Sequence, residues 1–175
     1  MTSVLVSRSL PPLVKPVLKA VVFSIAGYRL ALPMESVLRV VNAPPEMSAS
    51  SAPQERSGMV ELIHLGHLAI AVLNLYPHLS LKQSISRSVG ASQGESQQGQ
   101  FLVVTKVGGE ICAIRVDTPP DLIELDASTI RQIPAPYQQN HPLSIASRVA
   151  VLPQGKATLA IFVLDMERVL RVIKD

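Results

Sequence analysis

The sequence predicts a mainly β protein made of two small five-stranded barrels with short helices, and three observations carry that prediction. Apolar, β-branched runs are broken by two-residue turns containing glycine, at Ala26 and Gly27, at Gly66 and His67, and at Gly108 and Gly109, the pattern of tight hairpins. A strand running into a helix cap occurs twice, at residues 69–74 and 160–165, and each is followed by a helix ending at Leu79 or Leu170. The leading hairpins pair up as well, the turn before residues 28–32 matching the turn before residues 110–114. Two such repeats contain about ten short strands, too many for one small flat sheet, and closure into barrels removes the exposed edges. The same strands can also build one continuous sandwich.

Taken in order, the first hairpin uses residues 19–25 and 28–32, with Gly27 able to supply the positive φ of its turn. Pro33 then stands where a helix starts, and Met34, Val37, Leu38 and Val41 recur at helical spacing, predicting a short helix with one apolar stripe. Residues 42–57, rich in Pro, Ser and Ala without periodicity, read as a loop of the length at which loops are usually functional. The second hairpin takes 60–65 and 68–73, and Asn74 is placed to cap a helical turn over 76–79. Ser80 to Gly99 read as a flexible insert, because a Ser-, Gln- and Gly-rich stretch without apolar pattern does not repay the entropy of ordering.

The third hairpin, 101–107 with 110–116, is followed by a short strand at 122–125 and by Asp126 as cap of a one-turn helix reaching Ile130. Pro134, Pro136 and Pro142 mark an irregular crossing connection. The last hairpin takes 145–152 and 156–164 around a turn at 153–155. Asp165 then caps a C-terminal helix whose Met166, Val169, Leu170 and Ile173 form an apolar stripe that needs a groove. The expected organisation is an N-terminal tail over 1–18 and one domain over 19–175.

Composition excludes several classes of function. The chain has 175 residues, 47% of them apolar, enough for a core without staples. Its net charge of +3 comes from 16 basic and 13 acidic side chains with no two basic residues adjacent, which is no nucleic-acid footprint. With 3% aromatic residues and no Trp, stacking platforms for single strands are few. The single cysteine, Cys112, rules out an internal disulfide and fits a reducing compartment. No run reaches the length of a membrane-spanning helix, and the interruptions at Arg8, Pro11, Pro12, Lys15 and Pro16 argue against a signal peptide, so the expected location is cytoplasmic, without membrane insertion.

The chain also lacks a catalytic constellation. His64 and His67 have an H-x-x-H spacing, but they flank a hairpin turn instead of sharing a helix face, and no cysteine or carboxylate cluster accompanies them, so no metal site is predicted. His78 and His141 sit beside prolines with no neighbour that suggests a base. Cys112 lies mid-strand with no cation nearby in sequence to lower its pKa, and Ser144 and Ser147 are outside any nucleophile-elbow pattern. Asp117, Asp121, Glu124 and Asp126 cluster but lack the glycine and alternating oxygen ligands of a calcium loop. A well-patterned β protein with no such site reads as a non-enzymatic interaction module.

Between Ala20 and Leu170 the order of motifs resembles the CheW-like family, the chemotaxis coupling proteins and the matching domains of their kinases. The residues that carry the resemblance are 23–27 with 31–37, 71–75, Gly108 and Gly109 through Val116 and Asp117, and Leu164 with Asp165 before the last helix. The resemblance implies two SH3-like five-stranded barrels around a shared apolar core. It also implies a scaffold that joins the cytoplasmic tip of a chemoreceptor to the CheW-like regulatory domain of a histidine kinase, with no cofactor.

Carried over position by position, the partner-binding residues implied are Val37 and Arg39 on the expected short helix and His64, Leu65, Gly66 and His67 at the second hairpin. Two departures stand out. Arg39 occupies a position that is usually acidic, and the second hairpin lacks the arginine typical of the family, whose forked, permanently charged donor histidine cannot reproduce. Pro119 and Pro120 also interrupt a segment that is usually regular. The expectation is a divergent member serving a specialised pathway such as twitching motility or phototaxis, or alternatively a module that binds a different regulator without kinase coupling.

Overall fold

A computed structural model describes residues 15–44, 59–80, 99–138 and 141–174. Four hairpins dominate it. Strands β1 (Val17–Ile25) and β2 (Tyr28–Pro33) meet at Ala26 and Gly27, both at positive φ (50° and 81°), the two-residue turn whose twist matches that of its strands. The expected loops 42–57 and 80–99 lie outside the described residues except at their ends. Beyond the first of them, β4 (Val60–Leu65) and β5 (Leu68–Leu73) pair across the Gly66–His67 turn. β6 (Phe101–Val107) and β7 (Glu110–Val116) pair across Gly108 and Gly109. In the last hairpin, β10 (Ala146–Gln154) with β11 (Ala157–Leu164), the ladder continues past the expected 153–155 turn to pair Gln154 with Ala157. Pro153 is tolerated there because the strand on the other side of β10 reaches only residues 148–150, so no ladder bond needs its missing N–H.

Two expectations are corrected. Residues 34–41 are not a helix: Met34–Ser36 make a single 3₁₀ turn, and Val37–Asn42 form strand β3, paired with β6. The helical spacing of Met34, Val37, Leu38 and Val41 has no surface to bury against as a helix. The β-branched Val37, Val40 and Val41 instead take extended backbone, which the β6 ladder satisfies. Strand β1 begins at Val17, two residues inside the expected tail, because β8 (Asp121–Asp126) pairs with it as far as Val17↔Asp126. Asp126 caps its turn as expected, accepting from the Ser128 N–H at 2.8 Å, but the chain then forms an unexpected short strand, β9 (Ile130–Gln132).

The strands assemble as two sheets with matching order, β8-β1-β2-β11-β10-β9 and β3-β6-β7-β5-β4. The sequence repeat therefore does not correspond to one sheet each. After each leading hairpin the chain crosses over: β3 leaves β1–β2 to join the second sheet, and β8 leaves β6–β7 to join the first. The closing hairpins cross too, β5 lying parallel to β7 and β11 parallel to β2. Each lobe thus contains strands from both repeats.

Three apolar layers result, where a continuous sandwich has one. Ala20, Val22, Ala31, Leu125, Ala150 and Ile161 fill the first lobe, and Ile63, Ile70, Val72, Leu102, Val104 and Ala113 fill the second. On the opposite faces of the same strands, Phe23, Leu30, Leu73, Val103 and Ile114 form a core shared by both. The central strands are buried on both faces, which explains their nearly continuous apolar runs.

Helices α1 (Tyr76–Ser80) and α2 (Met166–Lys174) close this shared core with Leu79 and Val169. Asn74 Oδ1 caps the first through the Tyr76 N–H (3.2 Å), and Asp165 Oδ1 caps the second through the N–H groups of Glu167 and Arg168 (3.1 and 3.3 Å). The groove required by the C-terminal apolar stripe is the seam between the lobes.

Candidate partner-binding surface

Val37 and Arg39 lie on β3, one edge of the second sheet. Val37 is fixed in place: its N–H donates to Met34 O, and the buried Thr105 hydroxyl donates to Ser36 O at 2.6 Å. The pairing then slips between Val37 and Arg39, leaving Leu38 as the extra residue of a β-bulge. The bulge turns Leu38 outward, and Leu38, Arg39 and Val40 are all exposed.

His64, Leu65, Gly66 and His67 end β4, the other edge of the same sheet. Leu65 packs partly into the second lobe's interior, while His64, Gly66 and His67 are exposed. Gly66 takes a left-handed φ of +65° with open space around it, so a side chain there would be opposed by backbone strain alone. Strand pairing does not bring the two segments together, since β6, β7 and β5 separate them. What they share is a face: Val37 and Val40 at one edge and Val60, Leu62 and His64 at the other alternate onto the side of the sheet that forms the shared core.

Sequence reasoning missed the apolar part of this surface. Val60 and Leu62 are 45% and 68% exposed on an edge strand that, among the described residues, is paired only to β5. The alternation Val60, Leu62, His64 was available in the sequence, but it reads as the buried face of a strand until the edge position is known.

The other groups considered for chemistry have structural work to do. Asp117 accepts from the N–H groups of Ala26 (3.0 Å) and Gly99 (3.1 Å), tying the β1–β2 turn to β7. Asp126 is a cap, and hydrogen bonds from Ser128 hold its carboxyl below the usual range; Glu124 pairs with Lys19 at 3.5 Å. Cys112 is 7% exposed against the shared core, and burial, with a smaller contribution from Glu110, pushes its thiol up, away from the reactive thiolate. Among the described residues no group of three or more His, Cys, Asp or Glu is placed to hold a metal ion, and no helix is long and apolar enough to cross a membrane.

A family model for the CheW-like domain matches residues 19–174. The chain belongs to this family. Among solved structures, the CheW-like chain resembles the scaffolding protein TtCheW from Thermoanaerobacter tengcongensis, with 18% sequence identity, 91% of each chain covered and a TM-score of 0.61. At that identity the likeness speaks for the fold, two SH3-like lobes. No curated protein matches. In this CheW-like chain the position expected to lie on a short helix, Val37, opens a bulged edge strand, and the second hairpin presents two exposed histidines, His64 and His67.

Proposed function

We propose that the chain is a non-enzymatic adaptor of a bacterial chemotaxis-type system, coupling the cytoplasmic tip of a chemoreceptor to the CheW-like regulatory domain of a histidine kinase. Membership of the CheW-like family supports the class. The observation that carries the assignment to a surface is the second sheet, whose two edges expose apolar side chains around the residues implied by the resemblance: Leu38 and Val40 beside Val37 and Arg39, and Val60 and Leu62 beside His64 to His67. Apolar residues on unpaired edges are the usual raw material of a protein interface.

Arg39, exposed where the family is usually acidic, requires a partner that is acidic at that point. The adaptor acts in the cytoplasm, and its departures from the family suit a specialised pathway such as twitching motility or phototaxis. The exposed pair His64 and His67 favours a second reading, a module bound to a different regulator. Affinity purification from native lysate, with bound chains identified by mass spectrometry, separates the two: a histidine kinase together with a chemoreceptor supports coupling, and recovery of another regulator with neither supports the alternative. Replacing His67 by Arg strengthens kinase binding under the first reading and weakens the native contact under the second.

A further inference from the structure

The short 3₁₀ turn Pro142–Ile145 is the piece on which both helices rest, and Pro142, Leu143 and Ile145 are buried there. Two histidines hold it. His141 caps the turn, its Nδ1 accepting from the Leu143 N–H at 3.1 Å, and its ring lies edge-on to Tyr137 with centroids 5.1 Å apart. His78, on α1, places its ring against the Pro142 carbonyl, and its Nε2 is shut off from solvent with no hydrogen-bond partner among the described residues.

Both arrangements require a neutral ring. A protonated His141 has an N–H at Nδ1, which cannot accept from Leu143. A protonated His78 has a second N–H with no acceptor among the described residues, at an atom shut off from solvent. We propose that His78 and His141 form an acid-sensitive latch on the 142–145 turn, closed while both rings are neutral and released when they are protonated.

From α2, the Asp165 N–H donates to Ile145 O (2.9 Å) and Arg168 Nη1 to Ala146 O (3.2 Å), the two side chains being paired with each other at 3.3 Å. Tyr76 shares α1 with His78, and Tyr137 lies against His141. Burial lowers the proton affinity of His78, against a smaller opposing pull from the Pro142 carbonyl. A ring that binds its proton less tightly in the folded chain contributes stability that is whole above the ordinary histidine pKa, about 6.5, and is lost as pH falls below it.

In an NMR titration of the full chain, His78 titrates below the ordinary histidine value of about 6.5. Amide protection of Leu143, corrected for intrinsic exchange, falls about tenfold between roughly pH 7.5 and 5.5. The double variant His78→Phe, His141→Asn, in which Asn keeps a capping oxygen that does not titrate, loses most of that fall. The latch is refuted if His78 titrates at or above the ordinary histidine value of about 6.5, or if the double variant keeps the full pH response. Should the variant not fold, the titration of the unaltered chain decides.

Discussion

The two sheets share one strand order but differ at one edge. In the first sheet, β10 is flanked by β9; in the second, the corresponding strand β4 is paired on one side only among the described residues. The consequence is visible at equivalent positions. Val149, opposite Phe162, has Arg131 of β9 alongside and is half-buried, whereas Leu62, opposite Ala71, is 68% exposed. Among the described residues, a duplicated scaffold covers one edge with its own chain and leaves the other open. That asymmetry, more than any single residue, supports the proposal that the second sheet is the docking lobe.

The largest expected effects test whether the sheets are separate units at all. Phe23→Ala removes a side chain of the shared core and is expected to cost about 3–5 kcal/mol, with urea unfolding still a single transition followed alike by probes in either lobe. Ile70→Ala, which empties only the second lobe's interior, is expected to cost about 2–5 kcal/mol. If it unfolds the second lobe while the first stays native, the shared core does not unite them.

The two helix caps come next. Asp165→Ala is expected to cost about 1 kcal/mol or somewhat more, and Asn74→Ala less, because Asp165 serves two N–H groups and pairs with Arg168 while Asn74 serves one. Thermal melts of the two variants check the order, and equal losses would remove this distinction between the repeats.

Smallest in stability, and most informative, is the edge pair. Leu62→Lys is expected to change stability by less than about 0.5 kcal/mol, while Val149→Lys, forced beside β9, is expected to cost measurably more. Denaturant melts that rank them the other way would mean that β9 shields nothing.

Much of this fold was legible in the sequence because hairpin turns and caps are local chemistry. Gly27, Gly108, Asn74, Asp126 and Asp165 do in the structure what their residue types announce. The segment after Pro33 was not legible, since helical spacing and β-branching compete there and only the β6 ladder decides between them. Nor was the crossing of strands between sheets, which depends on partners far apart in sequence. Of the candidate surface, the hairpin turn that carries His64 and His67 was legible, but the exposed Val60 and Leu62 look like core until β4 is known to be an edge.

The central claim is most directly tested by calorimetric titration of the chain with the CheW-like regulatory domain of a histidine kinase from the same organism. Binding is predicted to weaken about tenfold or more in Leu62→Lys and in Val40→Lys. It is predicted to stay unchanged in Leu122→Lys, which alters an equally prominent residue, 60% exposed, on the edge of the first sheet. Weakening by Leu122→Lys with no effect of the other two would contradict the assignment of the second sheet as the docking lobe.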